Sequence, residues 1–99
     1  MKNGSLTLLA EVVAVRGQIS CDLEGEAVIL HLDEGVYYGL NEVGAKVWTL
    51  LQTPRTVSTI RDALMQHYDV QPDDCTRDLL DLLNRLMDWK LIELRNGKS

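Results

Sequence analysis

No apolar stretch of this sequence approaches the ~18 residues that a membrane-spanning helix needs, so a bilayer-embedded protein is excluded as a reading. Glu11 interrupts the apolar run between Leu6 and Val15, and no small-residue cleavage site follows it, so no signal peptide is expected. Cysteine is scarce: Cys21 and Cys75 stand far apart and form no C-x-x-C pair. That spacing fits two reduced thiols in a cytoplasmic protein, with a Cys21–Cys75 bridge as the disfavoured alternative. Basic residues are in deficit, ten against fifteen acids, which leaves a net charge of −5. A free-standing nucleic-acid binder needs a basic face, and none is offered. With two prolines, seven glycines and 45% hydrophobic residues, the composition is that of an ordinary globule.

The 99 residues suffice for one domain. A chain of this size buries only about 60–65% of its unfolded surface, so its core must be compact. The hydrophobic period changes near Asn41. Before it, Ile19–Leu23, Ala27–Leu32 and Val36–Leu40 read as strands, separated by Glu24-Gly25-Glu26 and Asp33-Glu34-Gly35 turns. They predict a three-stranded antiparallel meander. Residues 6–15 add a further strand or pack as an arm. After Asn41, a good N-cap, Val43, Val47, Leu50 and Leu51 fall on one helical face beside Trp48. Thr53-Pro54 stops that helix, Thr56 caps a second with face Val57, Ile60, Leu64 and Tyr68, and Pro72 opens a third that runs to about Trp89. Leu91–Leu94 forms a short closing strand or coil. The predicted class is α+β, winged helix-turn-helix-like: a three-stranded antiparallel sheet followed by three helices. The predicted layout is an arm or extra strand over 1–18, the folded domain over 19–95 and a frayed tail over 96–99.

The third helix carries more apolar surface than one buried face requires. Leu82, Cys75, Leu86 and Leu79 form a core stripe roughly 60° wide, while Leu83, Met87 and Leu80 on one side and Trp89 on the other widen the arc to roughly 180°. Either the helix packs against two neighbours, or Leu80, Leu83 and Met87 line a groove for a partner. The two readings are compatible.

Catalytic constellations are missing from the pattern. His31 and His67 have no partner at metal-ligand or dyad spacing, and no H-E-x-x-H, G-x-S-x-G or P-loop occurs. Cys75 sits on the core stripe as a small hydrophobe. Neither an enzyme, a metal nor a cofactor is expected. Two binding readings stand. The first puts the third helix in a DNA groove, but seven acids against four bases between Thr56 and Lys90 leave that stretch at −3, and Asp73 and Asp74 would face the phosphates. The second is peptide binding by strand addition at Val36–Leu40, which lacks proline and charge and places Tyr37 and Tyr38 on opposite faces.

The run Gly25-Glu26-Ala27-Val28-Ile29-Leu30, followed by Gly35-Val36-Tyr37-Tyr38-Gly39-Leu40-Asn41-Glu42-Val43-Gly44-Ala45-Lys46-Val47-Trp48, resembles the PqqD-like family. Pro54-Arg55-Thr56-Val57, Tyr68-Asp69-Val70, Asp78, Leu82-Leu83, Leu86 and Leu91-Ile92 extend the likeness over roughly residues 19–94. Such domains are non-catalytic recognition elements for ribosomally synthesised, post-translationally modified peptides (RiPPs). The resemblance implies that the leader segment of a precursor peptide adds as a strand to Val36–Leu40 and lies against the third helix. Carried over by position, the peptide-binding residues are Val36, Tyr37, Tyr38, Gly39, Leu80, Leu83 and Met87. The implied partners are a leader peptide, in a lasso-peptide or a radical-enzyme pathway, and a leader peptidase or radical-type modifying enzyme. Nucleic acid and membrane are not expected as partners. The expected state is a monomer, or a weak or swapped dimer.

Overall fold

A computed structural model describes residues 6–95. The predicted meander forms from β2 (Gln18–Leu23), β3 (Glu26–His31) and β4 (Val36–Leu40), in the order β2-β3-β4. Glu24 and Gly25 make the first turn, with φ of 53° and 86° between the paired residues Leu23 and Glu26. Positive φ at both central residues is the turn that matches strand twist, and glycine adopts it without strain.

Cross-strand register sorts the sheet into two faces. Ser20, Ile29 and Tyr38 stand in one row and Asp22, Ala27 and Leu40 in the next. Ile29, Ala27 and Leu40 are buried, so this face turns toward the helices. The alternate rows, Ile19–Leu30–Tyr37 and Cys21–Val28–Gly39, face away from them.

Three helices follow: α1 (Glu42–Leu50), α2 (Val57–His67) and α3 (Pro72–Asp88). Asn41 caps α1 by accepting the Gly44 N–H at 2.9 Å. Gly44 is buried, and a Cβ there would sit 3.1 Å from Leu40 Cβ, so its small size lets α1 close down on the end of β4. Thr56 caps α2 through the Thr59 N–H. Pro72 occupies the first turn of α3, where it forfeits no helical hydrogen bond.

A second sheet goes beyond the sequence expectation. Its strands are β1 (Glu11–Ala14), β5 (Arg55–Thr56) and β6 (Ile92–Arg95), in the order β5-β1-β6. Residues 11–14 therefore form a strand with Val12 wholly buried, and Leu91–Leu94 resolves into a strand rather than coil. The 2-residue β5 is too short to leave a periodic signal. The frayed tail expected over 96–99 lies outside the described residues.

The core joins both layers through Val12, Ile29, Val47, Leu51, Ile60, Leu83, Leu86 and Leu91. In α3 the buried residues are Cys75, Leu79, Leu83 and Leu86, so Leu83 belongs to the core stripe and Leu82, half-buried, stands at its margin. The buried stripe is turned by roughly 25° from the expected one, toward Leu83, with α2 and β6 packed against the helix. The helix ends at Trp89 with Lys90 at φ 63°, while Lys90 N–H bonds Met87 O and Leu91 N–H bonds Leu86 O, both at 3.0 Å. These are the paired bonds of a Schellman stop, with a lysine where glycine is usual.

Two stability outcomes follow. Leu83→Ala should cost about 2–5 kcal/mol in urea unfolding, and Leu82→Ala clearly less, since only the first empties a closed site. Lys90→Gly should raise stability by up to about 1 kcal/mol, because a left-handed lysine carries a strain that glycine lacks; equal or lower stability would count against that account of the helix stop.

Candidate functional site

Among the described residues β4 pairs with β3 on one side and with no strand on the other. Its free edge offers unpaired backbone N–H and C=O groups to an incoming strand. Tyr38 and Leu40 point to the helical side, half-buried and buried, while Tyr37 is 69% exposed on the other. The expected division of the two tyrosines is what the pleat produces.

The wall opposite this edge is α3. The Tyr38 ring stacks on Trp89 with centroids 4.6 Å apart and planes at 23°. Further along, Val43 and Val47 of α1 meet Leu79 and Leu82 of α3 around an apolar pocket of about 220 Å³, completed by Tyr68 and Val70. Trp89 thus stands beside the middle of β4, and Leu82 stands beside α1, which follows directly on Leu40. The groove is apolar along its length. Asp74 and Asp78 stand at the pocket rim, with Arg77 bridging them at 3.1 and 3.6 Å. Those pairs are exposed and contribute little to stability.

The seven sequence-predicted residues do not all converge. Val36, Tyr37, Tyr38 and Gly39 lie together on the edge strand. Leu83 has no exposed surface and cannot touch a ligand in this structure. Leu80 and Met87 are half-buried against the core, but helical spacing puts them roughly 160–180° around α3 from Trp89, on the flank away from β4. On the flank of α3 nearest β4 the structure places Leu82 and Trp89, seven residues apart, with Val43 of α1 beside Leu82 in the pocket. The wheel measured the width of the apolar arc correctly. It held no information on which neighbour each flank would meet. The signal that could have found the wall is the i, i+7 pair of Leu82 and Trp89.

Lys46 Nζ donates to His67 Nε2 at 2.8 Å. His31 lies buried in β3 beneath the sheet's inner face. A second, larger concavity of about 790 Å³ opens between the two sheets, lined among others by Arg16, Trp48, Glu93 and Arg95, away from the β4 edge. Cys75 is buried at the base of the apolar pocket, and burial pushes its thiol pKa up, against the opposing pull of the Arg61 guanidinium.

The family model described as "Coenzyme PQQ synthesis protein D (PqqD)" matches residues 26–92. Three solved structures share the fold over most of the chain. TbiB1 in complex with the TbiA(beta) leader peptide is 32% identical, with a TM-score of 0.76, covering 88% of this chain and 98% of that one. The lasso peptide synthetase B1 complexed with its leader peptide is 20% identical, at 0.73, covering 83% and 96%. The PqqD part of Methylobacterium extorquens PqqCD, a stand-alone RiPP recognition element solved by NMR, is 24% identical, at 0.74, covering 89% and 94%. No curated protein matches the chain by sequence.

The two cysteines should differ sharply in reactivity. At pH 8 iodoacetamide should alkylate exposed Cys21 readily and Cys75 only in denaturant, because the Cys75 thiol is both covered and held protonated. Mass spectrometry of native and unfolded protein checks this, and equal native rates would contradict the pocket geometry.

Proposed function

The chain belongs to the PqqD family, and from that premise we propose that it binds the leader segment of a ribosomally synthesised precursor peptide. The leader adds as a strand to the free edge of β4, and its apolar side chains enter the groove between β4 and the Leu82–Trp89 flank of α3. The observation that carries this reading is an unpaired, charge-free edge strand facing an apolar helix flank, with a pocket at one end.

The energetics suit recognition rather than permanent capture. Two or three buried apolar side chains contribute about 1.5–3 kcal/mol each, before the cost of ordering a flexible peptide. The expected Kd is therefore micromolar or somewhat below. The protein acts without catalysis, by holding a substrate beside the enzyme that works on it, and the gain is effective concentration. That enzyme is a leader peptidase or a radical-type modifying enzyme, acting in the cytoplasm. The pathway is of the lasso type or of the radical-enzyme type, and leader-binding domains of this fold occur as a lasso peptide synthetase B1 and as the PqqD part of PqqCD. The adaptor itself works as a monomer or as a weak or swapped dimer.

A DNA-binding role finds no support in the helices. α3 opens with exposed Asp73 and Asp74, which oppose phosphate.

The test is an amide-shift titration of labelled protein with leader segments of the precursors encoded beside its gene. Shifts should concentrate in Val36–Leu40, Val43 and the Leu82–Trp89 flank. Val43 is 40% exposed, so Val43→Asp should fold and weaken binding at least tenfold. Tyr37→Pro should do the same if Tyr37 N–H faces the free edge. Met87→Glu should leave affinity within about threefold if the protein stays folded, since that side chain faces away from the groove. Wild-type affinity in a folded Val43→Asp, or a large loss confined to Met87→Glu, would return the groove to the Leu80–Met87 flank. No shifts with any such leader would sink the recognition role.

A further inference from the structure

The meander has a second face that the groove does not use. Its rows are Ile19–Leu30–Tyr37 and Cys21–Val28–Gly39, with Leu23 at the end. Ile19 is 57% exposed, Leu23 52% and Tyr37 69%, while Val28 and Leu30 are half-buried. No element of the described chain covers this side. Contiguous exposed apolar surface of this kind marks an interaction site more often than it marks accident.

Charge identifies the occupant. Residues 18–40 contain Asp22, Glu24, Glu26, Asp33 and Glu34, all exposed, and no lysine or arginine. Glu24 and Glu26 at one hairpin turn and Asp33 and Glu34 at the other frame the apolar rows at both ends, while Asp22 belongs to an inward row. The nearest cations lie off this face: exposed Arg16 lines the cleft between the sheets, and Lys46, on α1, binds His67. We propose that this outward face docks a partner protein whose contact surface is apolar and rimmed by lysine and arginine. A second copy of the chain is disfavoured, because face-to-face pairing would oppose two all-acidic frames. An anionic membrane is disfavoured for the same reason.

The face is continuous with the leader site. Each row ends on β4, so a leader strand paired to that edge adds a fourth member to every row. The partner then reads sheet and leader together, and leader binding strengthens partner binding by linkage. Gly39 contributes to the fit. A Cβ there would meet nothing within 4 Å and its φ is ordinary, so neither packing nor backbone requires glycine; its bare position keeps the middle row low beside Tyr37. The partner's identity as the enzyme that acts on the bound precursor rests on the recognition role proposed above.

The experiment measures two affinities in parallel by fluorescence anisotropy: protein for labelled leader, and protein for the precursor-processing enzyme encoded beside it. Ile19→Ser/Leu23→Ser and Glu26→Lys/Glu34→Lys should each weaken enzyme binding at least tenfold and leave leader affinity within twofold. Adding leader should tighten enzyme binding to the wild type. Unchanged enzyme affinity in folded variants, or an enzyme that does not bind at all, overturns the docking face. Cross-saturation of the wild-type complex gives a reading independent of any variant's folding: attenuation should fall on Ile19, Cys21, Val28 and Leu30, and attenuation confined to helices overturns the proposal. A concentration-dependent dimer abolished by Ile19→Ser/Leu23→Ser would assign the face to a second copy instead, and binding to anionic vesicles would assign it to lipid; either result overturns the proposal. Loss of leader binding in the wild type, with enzyme docking intact, overturns the recognition role and not this face.

Discussion

The pairing of β1 on both of its edges is the constraint from which the rest of the architecture follows. On one side Glu11 and Val12 pair with Thr56 and Arg55, which fixes where α2 begins. On the other, residues 11–14 pair with 92–95, which fixes where the chain goes after α3. Ala14 N–H reaches Leu51 O at 2.8 Å and Val15 N–H reaches Leu91 O at 2.9 Å, so the ends of α1 and α3 are tied to the same strand. Val12, wholly buried at the centre, supplies apolar contact where those three connections meet. A four-residue strand thus sets the positions of three helices.

The stack of Tyr38 on Trp89 then sets the groove's width. Aromatic pairs with centroids 4.5–7 Å apart contribute about 0.5–1.5 kcal/mol beyond burial, and this one joins the edge strand to the end of the helix. It sits one residue before the Schellman stop, so the turn that ends α3 also aims the indole. At the other end, the close approach that Gly44 permits brings α1 against Leu40 and places Val43 over the pocket. One of these contacts, Tyr38 on Trp89, joins distant parts of the chain, and the other, Gly44 against Leu40, is local.

This division explains what the sequence could and could not reveal. The strands, turns and helix caps were legible because each has a short-range cause: the Glu24-Gly25 turn, Asn41, Thr56, Pro72. The edge strand was legible for the same reason, and so was the opposition of Tyr37 and Tyr38. The second sheet was largely hidden. β5 has two residues, and β1 and β6 pair across some eighty positions, so no local pattern announces them. The buried stripe of α3 is Cys75, Leu79, Leu83 and Leu86, with Leu83 in the place expected for Leu82. Leu83 and Leu82 are equally apolar and adjacent, and only the placement of α2 and β6 decides which is buried. Leu80 and Met87 carry an apolar excess, as the wheel indicated, but that excess packs on the core's other side.

Strand β4 concentrates the protein's capacity for recognition in five residues. Its edge presents backbone groups, which bind any extended peptide and carry little sequence information. Its inner face presents Tyr38 and Leu40 toward the helices, where the proposed leader's side chains would be selected. Its outer face presents Tyr37 and the bare Gly39 to solvent. An incoming strand cannot occupy the edge without extending both faces, because pleating alternates its side chains. Selection by the groove and display on the outer face are therefore coupled by geometry alone. No hinge or conformational change is required for leader binding to alter what a partner meets. The same argument accounts for a small acidic domain with no catalytic constellation in its sequence: its contribution lies in which surfaces a bound peptide completes.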